Sequence, residues 1–198
     1  MSEAKRRIAV IDGQAFSQVR RSVLTAMCMA MCVVLPMAFH AIPDAGSIFS
    51  PMHIPVLLCG LICGPVYGAA CGLAGPLLSS VITQMPPISY LPPMLSECAV
   101  YGFFAGLLMR LVRTGRLYGD LYISLTSSMF LGRIVAGAAK ALYFAAGSYS
   151  FSLWATGYFV TSLPGIFIHL LFIPTLVVAL QKARLIPVRY PKKCSESA

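Results

Sequence analysis

Residues 60–76 read GLICGPVYGAACGLAGP, and they lie in the middle of an apolar region that runs from about 48 to 84. Glycine recurs here every four residues, at Gly60, Gly64, Gly68 and Gly72. Small residues at this spacing let helix backbones approach closely. Pro65 follows the second of these glycines, and proline weakens a helix because it removes a backbone donor. The region is therefore either one long helix or two short helices that fold at Gly64 and Pro65.

The composition excludes a soluble globular enzyme. The 198 residues are 58% hydrophobic and 11% charged, whereas a soluble domain has about 45–50% apolar and about 25% charged residues. So few charges cannot cover a surface that faces water. A membrane-spanning helix needs about 20 apolar residues, with a range of about 17–25. Four further apolar runs meet this requirement, at about 22–40, 92–109, 121–146 and 152–180.

The positions of the cations indicate how often the chain crosses the membrane, because Lys and Arg collect on the cytoplasmic side. Five lie in the first 21 residues, three between 110 and 116, and five from 182 onward. If 48–84 were a single span, five crossings would leave the last two groups outside. With two spans there are six crossings, and all three groups lie inside. The sequence therefore predicts an all-α integral membrane protein with six transmembrane helices and both termini cytoplasmic.

The same distribution predicts the organisation of the chain. Because the cations follow the loops and do not form one basic face, nucleic acid is not expected as a partner. The tail from 187 onward is expected to be a flexible basic end near anionic lipid headgroups. Three segments are predicted: a cytoplasmic N-terminal arm (1–19), a six-helix membrane domain (20–184) and a basic cytoplasmic tail (185–198).

The sequence offers little for catalysis or for a metal. Six of the seven cysteines lie in apolar runs, where they are expected to be small packing residues. The chain has no H-E-x-x-H, no G-x-S-x-G and no pair of carboxylates in a span, so neither an enzyme nor a metal site is expected. It also has no P-loop, so any step driven by ATP would need another subunit.

Four ionisable residues stand inside the predicted spans: Glu97, Arg133, Lys140 and His169. Such residues are costly in the hydrocarbon and usually mark a pathway, a pair or a site. At about 1.5 Å per residue, Glu97 and Lys140 both lie roughly 7–10 Å below the outer surface. Arg133 follows two turns deeper on the face of Lys140, and Tyr101 lies one turn from Glu97.

These positions predict a polar cavity in the outer half of the membrane that suits an anionic or zwitterionic solute. A structural bridge between Glu97 and Lys140 is the alternative, and the two interpretations are compatible. A lone histidine such as His169 is expected to bond a neighbour more often than a ligand. Other residues predicted near the outer face, able to cap or line the cavity, are His40, Asp44, His53, Gln84 and Trp154. An aromatic residue there is first an interface anchor and only second a stacking platform.

The run FSPMHIPVLLCGLICGP (residues 49–65) resembles the S components of energy-coupling factor (ECF) transporters, and the likeness continues through the glycines to Glu97-x-x-x-Tyr101-Gly102. This resemblance implies a small six-helix protein of a prokaryotic cell membrane that binds a vitamin or related micronutrient. It implies as partners a membrane coupling subunit and two ATPases. No cofactor is implied for this chain, because the ATP is used by the partner ATPases.

The resemblance also implies a docking motif and a class of substrate. The family's Ala-x-x-x-Ala motif on the first helix corresponds to Ala26 and Ala30, where small residues form a groove for another helix. The same spacing at Ala70 and Ala141 has no such implied role. The Pro-Met-His-Ile-Pro stretch is most similar to the branch with pantothenate carriers. Pyridoxine-like, pyrimidine and queuosine-precursor substrates stay open.

Two other functions are weighed against this one. A stand-alone secondary carrier or channel for a small anionic or zwitterionic solute would use the same helices without an ATPase. Such folds commonly contain two inverted repeats with matching broken helices, and the glycine-proline hairpin has no counterpart in the second half. An intramembrane enzyme that uses Glu97 and His169 is disfavoured, because straight helices would separate their depths by roughly 10 Å.

Overall fold

The computed structural model describes residues 18–38, 49–143, 151–187 and 189–190. The predictions for His40, Asp44, almost all of the N-terminal arm and the last eight residues lie outside this part. The described chain is helical and contains no strand. Its helices are α1 (Gln18–Ala38), α2 (His53–Cys63), α3 (Pro65–Thr83), α4 (Leu91–Leu111), α5 (Leu117–Tyr143), α6 (Phe151–Ala155) and α7 (Leu163–Lys182).

Five of the described helices are long and apolar enough to cross a membrane, namely α1, α3, α4, α5 and α7. The helix α2 has only 11 residues, so it is about 16 Å long, roughly half of a hydrocarbon core of about 30 Å. The region 48–84 thus contains two separate helices, as one of the two interpretations predicted. The count of six spans and the cytoplasmic side of the termini stay predictions.

The break between α2 and α3 follows from the two residues quoted first. Gly64 has φ +101°, a conformation that residues with a Cβ rarely adopt. Pro65 is the first residue of α3, where its missing N–H would have no helical partner anyway. A Cβ on Gly64 would also collide with the guanidinium of Arg110. The turn is therefore packed directly against the end of α4.

The glycines on α2 and α3 bring backbones into contact. A Cβ on Gly60 or on Gly68 would collide with the carbonyl oxygen of Gly102 on α4, and a Cβ on Gly72 would collide with the carbonyl of Cys98. Ten of the 11 residues of α2 are buried. The short helix α2 is therefore a core element, packed against α1, α3 and α4, and the predicted close packing is confirmed.

The predicted span 152–180 is not a single helix. After α6 the chain forms a π-helical segment (Thr156–Thr161), breaks at Ser162, and starts α7 at Leu163. Pro164 lies in the first turn of α7 and cannot donate a backbone hydrogen bond to the preceding turn. The membrane helix therefore begins about eleven residues later than the apolar run suggested.

The described cations gather at one end of the bundle. Cys63 at the end of α2 donates to the carbonyl of Arg21 (3.8 Å), and the α2–α3 turn lies beside Arg110. From the C-terminal segment, Arg189 Nε lies 2.7 Å from Oδ2 of Asp120, near the start of α5. These contacts place the start of α1, the α2–α3 turn, the α4–α5 loop and the C-terminal segment together.

The expectation of a flexible tail is wrong for the two tail residues whose contacts the structure describes. Tyr190 donates to Oδ2 of Asp120 (2.7 Å) and accepts from the Gly115 N–H (3.3 Å). The side chain of Asp120 is fully buried, and a buried carboxylate needs a cation and hydrogen-bond donors. Arg189 and Tyr190 supply them, which fixes this part of the tail to the bundle.

Candidate functional site

A chain of buried hydrogen bonds connects α4, α5 and the residue just before α7. The Tyr101 hydroxyl donates to Oε1 of Glu97 (2.8 Å) and accepts from Nε of Arg133 (3.3 Å). The Nη1 group of Arg133 donates to Oγ of Ser162 (2.9 Å). All four side chains are less than a tenth exposed. These four residues are called the polar chain below.

Local sequence explains why the polar chain forms. Glu97 and Tyr101 are four residues apart on α4, so their side chains lie on one face of that helix. The Tyr101 ring packs directly on the backbone of α5 at Gly132, where any Cβ would collide with the ring. Because Arg133 is the next residue on α5, its guanidinium reaches the Tyr101 hydroxyl.

The charges of the site do not balance within the described residues. Glu97 contributes one negative charge, and it interacts electrostatically with both Arg133 and Lys140. Lys140 is half-buried, and its ammonium lies 5.9 Å from the centre of the Tyr90 ring. Charges taken out of water are stable only when they are paired. One carboxylate with two cations leaves a net positive site, which favours an anionic ligand group.

Two buried histidines lie against the polar chain. The His53 ring makes an edge contact with the Tyr101 ring (centroids 4.9 Å apart) and lies 6.1 Å from the His169 ring. His53 is 6% exposed and His169 is fully buried. His53 directly follows the first outer loop, as predicted, but it belongs to the interior and not to a surface cap.

None of the four ring nitrogens of His53 and His169 has a hydrogen-bond partner in the part of the chain that the structure describes. The expectation that His169 bonds a neighbour is therefore wrong there. The backbone of Phe49 and Ser50 interacts electrostatically with the His169 ring, but without a hydrogen bond of regular geometry. Through His53 and Tyr101, His169 is also linked by contact to Glu97.

Two other predicted site residues differ in their placement. Trp154 on α6 is half-buried, and its indole N–H donates to the carbonyl of Arg133 (3.1 Å). It packs on α5 at Gly137, where a Cβ would collide with the indole. Gln84 ends α3 with φ +58° and is exposed, and no described contact connects it to the polar chain. The structure thus brings Trp154 to the site but not Gln84.

The two alanines of the predicted docking motif lie on the surface. Ala26 and Ala30 are exposed, whereas Cys28 and Cys32 on the same helix are buried where α1 packs on α2 and α3. The motif starts five residues after Arg21, near the end of the bundle that carries the cations. Its position leaves both alanines accessible to another helix.

Neither the cysteines nor the acidic residues form a metal site in the described ranges. There, no group of three or more His, Cys, Asp or Glu side chains could hold a metal ion. The six cysteines in those ranges are free, buried thiols. Sequence reasoning missed Ser162 as a member of the polar chain. The signal for it was the following Pro164-Gly165 pair, which ends the preceding helix and turns Ser162 inward.

Comparison with protein families gives one result. The family model described as "ECF transporter, substrate-specific component" matches residues 20–177 of the 198. Neither the curated proteins nor the solved structures contain a significant match. The matched range covers α1 to α6 and most of α7, including every residue of the polar chain. The chain therefore belongs to the family of substrate-specific components of ECF transporters.

Proposed function

We propose that this protein is the substrate-binding subunit of an ATP-driven ECF importer and that it captures a vitamin-like micronutrient with a carboxylate, most similar to pantothenate. The polar chain carries this proposal, together with Lys140 beside it. A buried arginine and a half-buried lysine face one carboxylate, which is a suitable setting for an anionic solute. Tight binding needs a largely dry site with a few converging polar groups, and this site has them.

The residues have separate roles in this proposal. Arg133 and Lys140 bind the carboxylate of the solute, and Arg133 is oriented for this by its bonds to Tyr101 and Ser162. Glu97 orients Tyr101 and accepts a hydrogen bond from the solute. Trp154 holds the backbone of Arg133 and covers the solute from α6. A pyridoxine-like, pyrimidine or queuosine-precursor solute would rely more on Glu97 than on the cations.

Transport requires partners, because this chain has no nucleotide-binding motif. The solute would enter from outside a prokaryotic cell, and a coupling subunit driven by two ATPases would reorient the loaded protein. The exposed Ala26 and Ala30 offer the coupling subunit a surface where helix backbones can approach closely.

Thermal stability of the purified protein in detergent tests the substrate. The panel is pantothenate, pyridoxine, uracil and the deazapurine precursor of queuosine. A ligand at 100 times its Kd stabilises the folded state by about 2.7 kcal/mol, so a true substrate gives a clear rise in Tm. Lys140→Ala should weaken pantothenate binding without unfolding the protein. Lys182→Ala is the matched control, since Lys182 is exposed at the end of α7.

Uptake in cells separates this function from a stand-alone carrier. Cells that express the protein with the coupling subunit and ATPases should accumulate labelled solute, and cells without the ATPases should not. The purified protein should also bring down the coupling subunit. Full uptake without ATPases would establish the carrier instead.

A further inference from the structure

The pair formed by His53 and His169 has polar atoms that the polar chain does not use. The two residues are 116 positions apart in sequence, yet their rings lie 6.1 Å apart in the core. None of their four nitrogens has a described hydrogen-bond partner. Roughly 90% or more of buried polar groups in proteins are hydrogen-bonded. Four exceptions at one place therefore indicate a binding function.

The chemistry of the pair indicates what it can bind. Arg133 interacts electrostatically with both rings, so a charged histidine would add a further cation to the interior, which is costly. A neutral imidazole has one donor and one acceptor. The pair therefore offers two donors and two acceptors, which suits a neutral group that both donates and accepts.

The separation of the rings fits such a group. Two hydrogen bonds of about 2.8–3.0 Å to one oxygen or nitrogen can join ring nitrogens that are up to about 6 Å apart. The measured centroid separation of 6.1 Å allows this. The edge contact of His53 with Tyr101 places the pair beside the polar chain, so one small molecule can contact both.

We propose that His53 and His169 together bind a hydroxyl or amide group of the transported solute, while the cations bind its charged end. This inference rests on the proposed function, because it takes the polar chain to be part of the substrate site. It makes the pair a determinant of specificity: a solute with only a carboxylate would satisfy the cations and leave the histidines unpartnered. Pantothenate carries hydroxyls and an amide at a distance from its carboxylate, as the pair requires.

The test measures two quantities on full-length protein in detergent: the Tm without ligand and the Kd for the panel member that stabilises the wild type. The variants are His53→Leu, His169→Leu, the double variant and His169→Gln. The matched control is Ser124→Ala, because Ser124 Oγ on α5 is also buried without a described partner. It lies nine residues before Arg133, about 13 Å along the helix.

A binding pair predicts a specific pattern. Each leucine variant should weaken binding at least tenfold and leave the Tm without ligand unchanged or higher, because unpartnered buried nitrogens are removed. The double variant should lose less affinity than the product of the single losses, since both rings hold one group. His169→Gln keeps a donor and an acceptor and should restore part of the affinity, even if His169→Leu fails to fold. Ser124→Ala should leave the Kd unchanged.

The solute supplies a second arm. If pantothenate binds, an analogue with both hydroxyls replaced by hydrogen should bind the wild type less tightly. It should bind the double variant as well as pantothenate does. Unchanged Kd values in His53→Leu and His169→Leu, or a fall in Tm without a change in Kd, would make the pair structural and overturn this inference alone. If no panel member shifts the wild type, the proposed function fails, and this inference fails with it.

Discussion

The sharpest test of the polar chain is to remove its cation and then its anion. Arg133→Met keeps most of the length of the side chain but removes the charge and the hydrogen bonds to Tyr101 and Ser162. Glu97 remains, 7% exposed and still bonded to Tyr101. Glu97→Gln keeps the shape of that side chain and removes its charge. The two single variants and the double variant form a thermodynamic cycle.

The structure sets the expected size of the effects. Breaking a buried ion pair by removing one partner costs about 3–5 kcal/mol. In this protein the Tyr101 hydroxyl lies between the two charges, and Lys140 also interacts with Glu97. We therefore expect the lower value, about 3 kcal/mol, for Arg133→Met. In the double variant no uncompensated carboxylate remains, so it should be more stable than the sum predicts, by about 2 kcal/mol, within the range measured for residues in one network.

The assay is reversible unfolding in mixed detergent micelles, without ligand. Arg116→Met is the matched control, since Arg116 is exposed in the α4–α5 loop, and it should change the free energy of unfolding by less than about 0.5 kcal/mol. Additive losses in the double variant would refute the electrostatic coupling. A loss below about 1 kcal/mol for Arg133→Met would show that its charge is solvated and not part of a dry site.

Three other predictions test the packing, the docking motif and the tail. Gly68→Ala should destabilise by about 1–3 kcal/mol because its Cβ overlaps the backbones of α2 and α4. Gly157→Ala, with nothing within 4 Å, should be neutral or stabilise by up to about 1 kcal/mol in the same unfolding assay; equal effects would refute the packing argument. Replacing Ala26 and Ala30 by Leu should abolish uptake and leave Tm and Kd unchanged, and joint loss would argue against docking. Asp120→Asn should weaken charged hydrogen bonds worth about 1.5–3 kcal/mol and make the C-terminal segment sensitive to trypsin, whereas an unchanged digest would exclude the tie.

The fold was predictable where the signal is local or can be counted. The break at Gly64 and Pro65 follows from two residues whose backbone preferences are known in advance. The cations indicated an even number of crossings, and the contacts at the end of the bundle that contains Arg21 and Arg110 agree with that grouping. These inferences need no knowledge of how the helices pack.

Element lengths were less predictable, because hydropathy does not show where a helix ends. The apolar region before Gly64 extends back to about residue 48, but α2 begins only at His53 and spans about half of the membrane. The run 152–180 is apolar throughout, yet the π-helical segment and Ser162 divide it. In both places the backbone departs from a regular helix inside the protein, where irregular backbone is tolerated because other helices cover it.

The site shows where prediction from the sequence ends. Depth along a helix can be calculated, so Glu97 and Lys140 were placed at the same level and proposed as a pair. The direction in which each side chain faces depends on packing. Gly132 lets the Tyr101 ring lie on α5, and the ring carries the hydroxyl that joins Glu97 to Arg133 instead. His169 shows this more strongly. As a lone histidine on an apolar helix it suggests only a local bond, and its function becomes testable only when His53, from a distant part of the chain, is found beside it.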